Sequence, residues 1–200
     1  MGEYLILVYR DMTELLQPAE CGNFKISHFE VTSKDIRAAI DGIYPGRYVK
    51  LTENGRVVMS NTDMEKRTNR EFCNCANGDV LIGGLGIGMI IMAIQDNPAV
   101  NSITVLEKNQ EVIDLVASQL EFNDKVNIIH ADVFSWKPAR GQKFDCIYMD
   151  VWEYINEDIY REEMLSLKRK YAHYLKPKDE SPKRFNKCWA EWNAKNGRRL

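Results

Sequence analysis

The fold of this chain is decided by residues 79–88, which read DVLIGGLGIG. An apolar run of strand length leads into three glycines at alternate positions, Gly84, Gly86 and Gly88, and a second apolar run over residues 87–94 has the length of a helix. Glycine tolerates positive φ and has no Cβ, and the start of a helix offers free N–H groups. The stretch therefore predicts a strand, a turn and a helix that let backbone approach a nucleotide closely.

Downstream of this turn, apolar segments of strand length alternate with segments of helical spacing. Strands are expected at residues 102–107, 126–130 and 144–149, and helices at residues 110–120 and 157–175. This alternation predicts an α/β fold, a Rossmann-like, doubly wound, mainly parallel sheet covered on both faces. Ligands of such sheets bind beyond the carboxyl ends of the strands, where the glycine turn, Glu107, Asp132 and Asp150 fall.

Residues 1–78 predict a smaller N-terminal α+β region ahead of the Rossmann-like domain at residues 79–200. An Asn-Gly pair, Asn54 and Gly55, lies between two β-rich runs, which is a strong signal for a β-hairpin near residues 48–60. Other strands are expected at residues 4–9 and 24–31, and helices at residues 36–40 and 62–77.

Two interpretations stay open for residues 185–196. The strand-helix rhythm favours a fifth strand followed by a helical turn. Alternatively, Phe185, Trp189 and Trp192 would form one face of a single helix.

Composition excludes several classes of protein. The chain has 200 residues with 44% apolar content, which suits one sizeable domain, and no apolar run approaches transmembrane length. Five cysteines without a C-x-x-C pair predict free thiols in a reducing cytoplasm. The three histidines are dispersed, so no metal site is predicted.

The charge is unevenly spread, although the net charge is only −2. Residues 168–200 carry eleven Lys and Arg against three Asp and Glu, so the basic C-terminal segment at residues 176–200 follows an acidic body. A basic tail permits a phosphate-bearing partner, but a solvated tail or one docked on the acidic body explains it more simply. Nucleic acid is not indicated overall, and no membrane association is expected.

The spacing of the glycines distinguishes between nucleotide-binding families. A dinucleotide turn reads G-x-G-x-x-G, but here Met89 takes the place of its third glycine. G-x-G-x-G after the first strand, with Glu107 ending the second, resembles the class I S-adenosylmethionine-dependent methyltransferases over residues 79–175. The resemblance implies S-adenosylmethionine as cofactor and methyl transfer to an acceptor that the sequence does not identify.

The same resemblance implies which residues hold the cofactor. Glu107 would accept hydrogen bonds from the ribose hydroxyls, and Asp132 would accept from the adenine amino group. Backbone of the glycine turn would pass beneath the methionine part and the ribose. The implied cofactor-binding residues are Gly84, Gly86, Gly88, Glu107, Lys108, Asp132, Val133 and Asp150. Ile82 stands where many of these enzymes carry an acidic residue, two positions before the first glycine.

Residues 55–63 and the Asp150-x-x-Glu153 pattern further resemble the spermidine synthases. Three residues depart from that subgroup, replacing its aspartate, glutamine and tyrosine: Ile87, Val58 and Arg67. We therefore interpret the chain as a methyltransferase of the spermidine-synthase-like subgroup. An aminopropyltransferase and a non-catalytic S-adenosylmethionine-binding protein are the alternatives.

Two residues after the fourth strand of the domain are candidates for the chemistry. Methyl transfer needs chiefly alignment and sometimes a base, and Asp150 is the candidate base or substrate anchor. Trp152 is a candidate aromatic wall, and the structural alternative for both residues is a role in the core. We also expect the final strand pair of the methyltransferase fold to be absent, which would leave a sheet edge open to a second copy of the chain.

Overall fold

The structure, a computed structural model, describes residues 8–200. The strand expected at residues 4–9 lies almost entirely outside the described residues. The first of two sheets is antiparallel and has the order β1-β2-β3-β4. Its strands are β1 (Ala19–Cys21), β2 (Phe24–Val31), β3 (Gly46–Glu53) and β4 (Arg56–Ser60).

The hairpin expected near residues 48–60 is confirmed as β3 and β4. Asn54 and Gly55 connect the two strands with φ values of 49° and 81°, the positive values that a type I′ turn needs at both central residues. Met59, near the end of β4, is buried in the core shared with the second sheet. The hairpin therefore packs directly against the domain that follows it.

The second sheet confirms the predicted α/β fold. Its order is β7-β6-β5-β8-β9, and every neighbouring pair is parallel. Its strands are β5 (Gly78–Gly83), β6 (Val100–Glu107), β7 (Val126–His130), β8 (Cys146–Met149) and β9 (Phe185–Cys188). The chain runs outward from β5 through β6 to β7 and then returns to the other side of β5 as β8. A topological switch point therefore lies between β5 and β8.

The described residues form eight α-helices. They are α1 (Met12–Leu15), α2 (Ile36–Ile40), α3 (Asp63–Cys75), α4 (Met89–Ile94), α5 (Gln110–Ala117), α6 (Glu157–Ile159), α7 (Leu165–Ala172) and α8 (Glu191–Lys195). A π-helical segment, Tyr160–Met164, joins α6 to α7. The helix expected at residues 110–120 ends three residues early, and Leu120 instead approaches Gly88 of the glycine turn.

The two faces of the parallel sheet have separate cores. Ile82 of β5 packs in one core with Leu51 of β3, which joins the N-terminal sheet to the parallel sheet. On the opposite face, Leu81 packs with Met164 and Tyr171 of the helix that follows β8. The division at residue 78 stays a prediction, because the first core runs across it.

The alternatives for residues 185–196 resolve in favour of the strand. Phe185 pairs in parallel register with Cys146 of β8, and α8 follows after a short connection. Within residues 8–200, no strand follows β9. No helix in this part of the chain has the length and apolar character needed to cross a membrane.

Candidate functional site

A cavity of about 250 Å³ lies at the carboxyl edge of the parallel sheet, where the N-terminal hairpin and α3 also reach. Its wall includes residues at or just beyond the ends of β5, β6, β7 and β8, as the switch-point rule predicts. The cavity brings together most of the residues predicted from the sequence: Gly84, Gly86, Glu107, Lys108, Asp132, Val133, Asp150 and Trp152.

Close packing explains why residues 84 and 86 are glycines. Gly84 has a φ of +95°, and a Cβ there would lie 2.1 Å from the carbonyl oxygen of Asp150. Gly86 has a φ of +52°, and a Cβ there would lie 2.2 Å from Sδ of Met59. The turn is therefore held in shape by β8 and the hairpin before any ligand is considered.

Gly88 is the third glycine of the turn and is also predicted to bind the cofactor. It is buried before α4, and the structure does not place it in the cavity wall. Its φ is +74°, and a Cβ there would lie 2.4 Å from Cδ1 of Leu120. The third glycine of the pattern is thus explained by packing of the turn against the segment after α5.

Glu107 links the glycine turn to the loop that follows β6. Its side chain is buried, and its Oε2 accepts a hydrogen bond from the Leu85 N–H at 3.0 Å. Its Oε1 accepts from the Asn109 N–H at 2.9 Å. A carboxylate offers about four acceptor sites, so this fixed group retains capacity towards the cavity.

The loop after β7 carries the other predicted acidic residue. Asp132 is exposed, and its Oδ1 accepts from the Phe134 N–H at 2.8 Å. Val133 is buried, and its carbonyl oxygen accepts from Lys170 Nζ and from the Tyr171 hydroxyl, both at 2.8 Å. Two donors from α7 thereby hold this loop at the cavity.

Asp150 follows β8 and is half-buried in the cavity wall. Its backbone N–H donates to the Gly83 carbonyl oxygen at 2.8 Å. Among the described residues, no side chain or backbone group donates a hydrogen bond to its carboxylate, and burial raises its pKa to about 7. An acidic group that titrates near neutrality in a cleft is a candidate for proton transfer.

Trp152 is held as part of the same wall. Its Nε1 donates to Oε2 of Glu163 at 2.7 Å, and Glu163 belongs to the π-helical segment. Both side chains line the cavity. Since π-helical turns frequently occur at functional sites, the segment and its contact with Trp152 support an aromatic wall there.

Glu65 was missed by the sequence analysis. It lies on α3 with only 8% of its surface exposed, and it lines the cavity. Burial, together with the charge of Asp150, raises its pKa to about 8. The Thr62-x-x-Glu65 spacing matches a helix capping box. This pattern accounts for a glutamate at residue 65 without a functional site, so the sequence gives no signal that Glu65 lines the cavity.

The sequence indicates a strand or a helix around Trp189 and gives no signal that this residue lines a site. It follows β9, is buried, and lines the cavity. Its Nε1 donates to Oγ1 of Thr68 on α3 at 3.0 Å. Its ring therefore contributes a second fixed aromatic surface to the site.

Acidic side chains dominate the charge of the cavity wall. Lys108 is the one cationic residue among the described residues of that wall. The acidic residues are Glu53, Glu65, Glu107, Asp132, Asp150, Glu153 and Glu163. Such a wall repels phosphate groups and favours a positively charged ligand.

No family model and no curated protein sequence matches the chain. It is similar in fold to solved structures, among them the N-methyltransferase NodS from Bradyrhizobium japonicum WM9 in complex with S-adenosyl-L-homocysteine. That match has 13% sequence identity, covers 57% of each chain and has a TM-score of 0.43.

Two other solved structures overlap with the chain in a similar way. Spermidine synthase from Thermotoga maritima has 15% identity and a TM-score of 0.42, with 73% of this chain and 50% of that chain covered. The plantazolicin methyltransferase BpumL, in complex with a pentazolic desmethylPZN analog and S-adenosyl-L-homocysteine, has 18% identity and a TM-score of 0.37, with 56% of this chain and 39% of that chain covered. The matched parts span about half the length of these structures.

Proposed function

We propose that the cavity binds S-adenosylmethionine and that the chain transfers its methyl group to an acceptor. The observation that carries this proposal is that the glycine turn, Glu107 and Asp132 meet in one cavity, each at the carboxyl end of its own strand. Glu107 would accept from the ribose hydroxyls and Asp132 from the adenine amino group. The backbone at Gly84 and Gly86 would pass beneath the methionine part.

The charge of the wall supports the same ligand. A sulfonium is a cation, and the cavity wall is strongly acidic. When bound, the sulfonium supplies an activated methyl group, and the electron pair of the broken S–C bond stays with sulfur. The protein would contribute alignment of the acceptor and, at Asp150, a base.

Calorimetry with S-adenosylmethionine and S-adenosyl-L-homocysteine tests the first step. We expect both to bind, and Glu107→Gln to weaken binding at least about tenfold, or about 1.4 kcal/mol, because it removes a charged acceptor. Glu121→Gln, at an exposed position outside the cavity, is the matched control. Absence of binding of either compound at millimolar concentration would contradict the proposal.

Aminopropyl transfer is the second candidate, because Asp150 and Glu153 of the D-x-x-D-like pattern both line the cavity. Two other positions count against it. Ile87 is fully buried in the core, and the Arg67 guanidinium donates to the carbonyl oxygens of Gly42 and Asp41 at 2.9 and 3.3 Å. Tighter binding of decarboxylated S-adenosylmethionine than of S-adenosylmethionine would favour aminopropyl transfer.

We also propose a cytoplasmic location. All five cysteines are free thiols, which persist in a reducing compartment. Three of them, Cys73, Cys146 and Cys188, are buried among core side chains, where a thiol behaves as a small apolar group. Localisation of the tagged full chain by fluorescence microscopy tests this proposal.

A further inference from the structure

Two segments of the chain carry basic residues and no acidic ones. Residues 133–144, which include most of the connection from β7 to β8, contain three Lys and Arg residues, and residues 164–173, which include α7, contain three more. Neither segment contains Asp or Glu, although these outnumber Lys and Arg in the whole chain by 29 to 27. Positive charge is therefore concentrated in two short stretches of sequence.

Hydrogen bonds hold the two segments side by side. At one end, Lys170 Nζ of α7 donates to the carbonyl oxygen of Phe134 at 2.9 Å. At the other end, Lys143 Nζ donates to the carbonyl oxygen of His173, which caps α7. Between these contacts Pro138 is buried, so the connection lies against the body of the protein. The basic residues of both segments therefore share one surface, which the net charge of −2 conceals in the sequence.

Five of these six cations have no anionic partner. Lys168 pairs with Glu191, but the other five form no ion pair in the part of the chain that the structure describes. Cations in the last turn of α7 stabilise the helix, but this does not account for the cations of the loop. We call the five the basic surface: Lys137, Arg140, Lys143 and Arg169, which are exposed, and Lys170, which is half-buried. Charges of one sign grouped in this way attract an anionic partner.

An exposed aromatic ring lies beside the basic surface. Phe134 has 46% of its surface exposed, and it also lines the cavity. Its N–H donates to Oδ1 of Asp132 at 2.8 Å and its carbonyl oxygen accepts from Lys170, so its backbone is fixed before any partner binds. Proteins bind single-stranded nucleic acid with this combination, cations along the phosphates and an aromatic ring against a base. An acidic polypeptide would need only the cations, and a membrane surface would need a larger apolar area.

We propose that the basic surface and Phe134 bind single-stranded nucleic acid. The cations contact the phosphate groups, and one base stacks on the ring of Phe134. The phosphates stay outside the cavity, because its wall is acidic and repels them. Since Phe134 also belongs to that wall, the bound strand lies at the mouth of the cavity. This inference goes beyond the proposed methyl transfer and does not depend on it.

Fluorescence anisotropy of labelled oligonucleotides tests the inference. The probes are oligothymidylate and oligouridylate of about 12 nucleotides, titrated with the full chain between about 50 and 200 mM salt. We expect at least one of them to bind with a Kd below about 100 µM at the lowest salt concentration. The logarithm of the binding constant should fall with the logarithm of the salt concentration with a slope as steep as about −3.5, or about −0.7 for each phosphate contact.

A double variant tests the phosphate contacts. Lys137→Gln/Arg169→Gln removes one exposed cation from each segment. We expect it to weaken binding at least about tenfold at the lowest salt concentration and to make the slope shallower by about 1.4. Lys34→Gln/Arg37→Gln removes the same charge from exposed positions at α2 and is the control, which should bind within about twofold of the wild-type chain.

Phe134→Ala tests the contact with a base. It should weaken binding of the single strand at least about fivefold, because stacking on the ring is lost. Its effect on a duplex of the same length should be below about twofold, because the bases of a duplex stack on one another and do not reach the ring.

Three results would overturn the inference. One is that neither strand binds at the lowest salt concentration, and another is an equal loss of affinity in the two double variants. The third is an oligoglutamate of the same length that binds as tightly as the strands while Phe134→Ala has no effect, which would assign the surface to an acidic polypeptide. All titrations are made without S-adenosylmethionine, so failure of that compound to bind would affect the proposed function alone.

Discussion

Asp145 and Asp150 stand at the two ends of strand β8, and their surroundings differ. Asp145, before the strand, accepts from Lys176 Nζ at 2.7 Å and from the Asp79 N–H at 2.7 Å. Burial opposes its ionisation, but these hydrogen bonds outweigh burial and lower its pKa. The carboxylate of Asp150, after the strand, accepts no such hydrogen bond from the described residues. Burial therefore raises its pKa to about 7.

The glycines beside these aspartates repeat the contrast. A Cβ on Gly78 would lie 2.0 Å from Oδ2 of Asp145, so this glycine lets a carboxylate into the sheet. At the other end of β5, Gly84 makes room for the backbone of Asp150, and the Asp150 side chain goes to the cavity. At the amino end of the sheet, the Asp145 carboxylate is therefore hydrogen-bonded within the protein. At the carboxyl end, where ligands of such sheets bind, the Asp150 carboxylate has no such partner among the described residues.

The largest expected effect on stability is that of a substitution at Asp145, whose carboxylate is hydrogen-bonded within the protein. Asp145→Asn removes the charge that Lys176 pairs with, and we expect a loss of about 2 kcal/mol in the free energy of unfolding at pH 7. Urea unfolding followed by circular dichroism measures it. Asp124→Asn, at an exposed position, should change stability by less than about 0.5 kcal/mol. A similar loss in both variants would contradict a special role for the Asp145 contacts.

The same substitution at the other end of β8 should act in the opposite direction. Asp150→Asn removes a charge that no described residue neutralises, so we expect a gain of about 1 kcal/mol in the free energy of unfolding at pH 8. Functional sites commonly carry such a cost in stability. Urea unfolding of the variant beside the wild-type chain measures the gain. A loss comparable to that of Asp145→Asn would show that Asp150 has a structural partner and would remove the contrast.

Local signals made the fold predictable. The alternate glycines predicted the turn after β5, and the Asn54-Gly55 pair predicted the hairpin, because both depend on positive φ values that few residues adopt. The strand-helix alternation predicted the parallel sheet. Gly88 shows where such a pattern stops being informative, since packing against Leu120 and cofactor binding both favour glycine.

Contacts between distant segments made part of the site unpredictable. Glu107, Asp132 and Asp150 could be placed because each lies at the carboxyl end of a strand, and the carboxyl ends of parallel strands meet at one edge of the sheet. Glu65 could not, because it reaches the cavity only through the packing of α3, 85 residues away from Asp150 in the numbering. The partnership of Asp145 with Lys176 was hidden for the same reason, since nothing local pairs residues 31 positions apart.

The smallest expected effect is a difference in how stability changes with pH. Asp145 has a lowered pKa in the folded chain, so its contribution is complete above its ordinary value of 3.8 and is lost as the pH falls through the folded value. Asp150 has a raised pKa, so its folded form holds a proton that the unfolded chain releases, and stability falls as the pH rises from 3.8 to about 7. Glu65 acts in the same direction, from 4.5 to about 8.

Urea unfolding of the wild-type chain and both asparagine variants between pH 3 and pH 8 separates the pH range in which Asp145 changes stability from that of Asp150. The deficit of Asp145→Asn should be constant above about pH 4 and shrink below it. The gain of Asp150→Asn should be absent near pH 4 and grow towards pH 7, by less than about 1.4 kcal/mol per pH unit, the limit for one proton. A gain that is already complete at pH 4 would mean that Asp150 ionises normally in the folded chain. The contrast between Asp145 and Asp150 would then have no support from the energetics of folding.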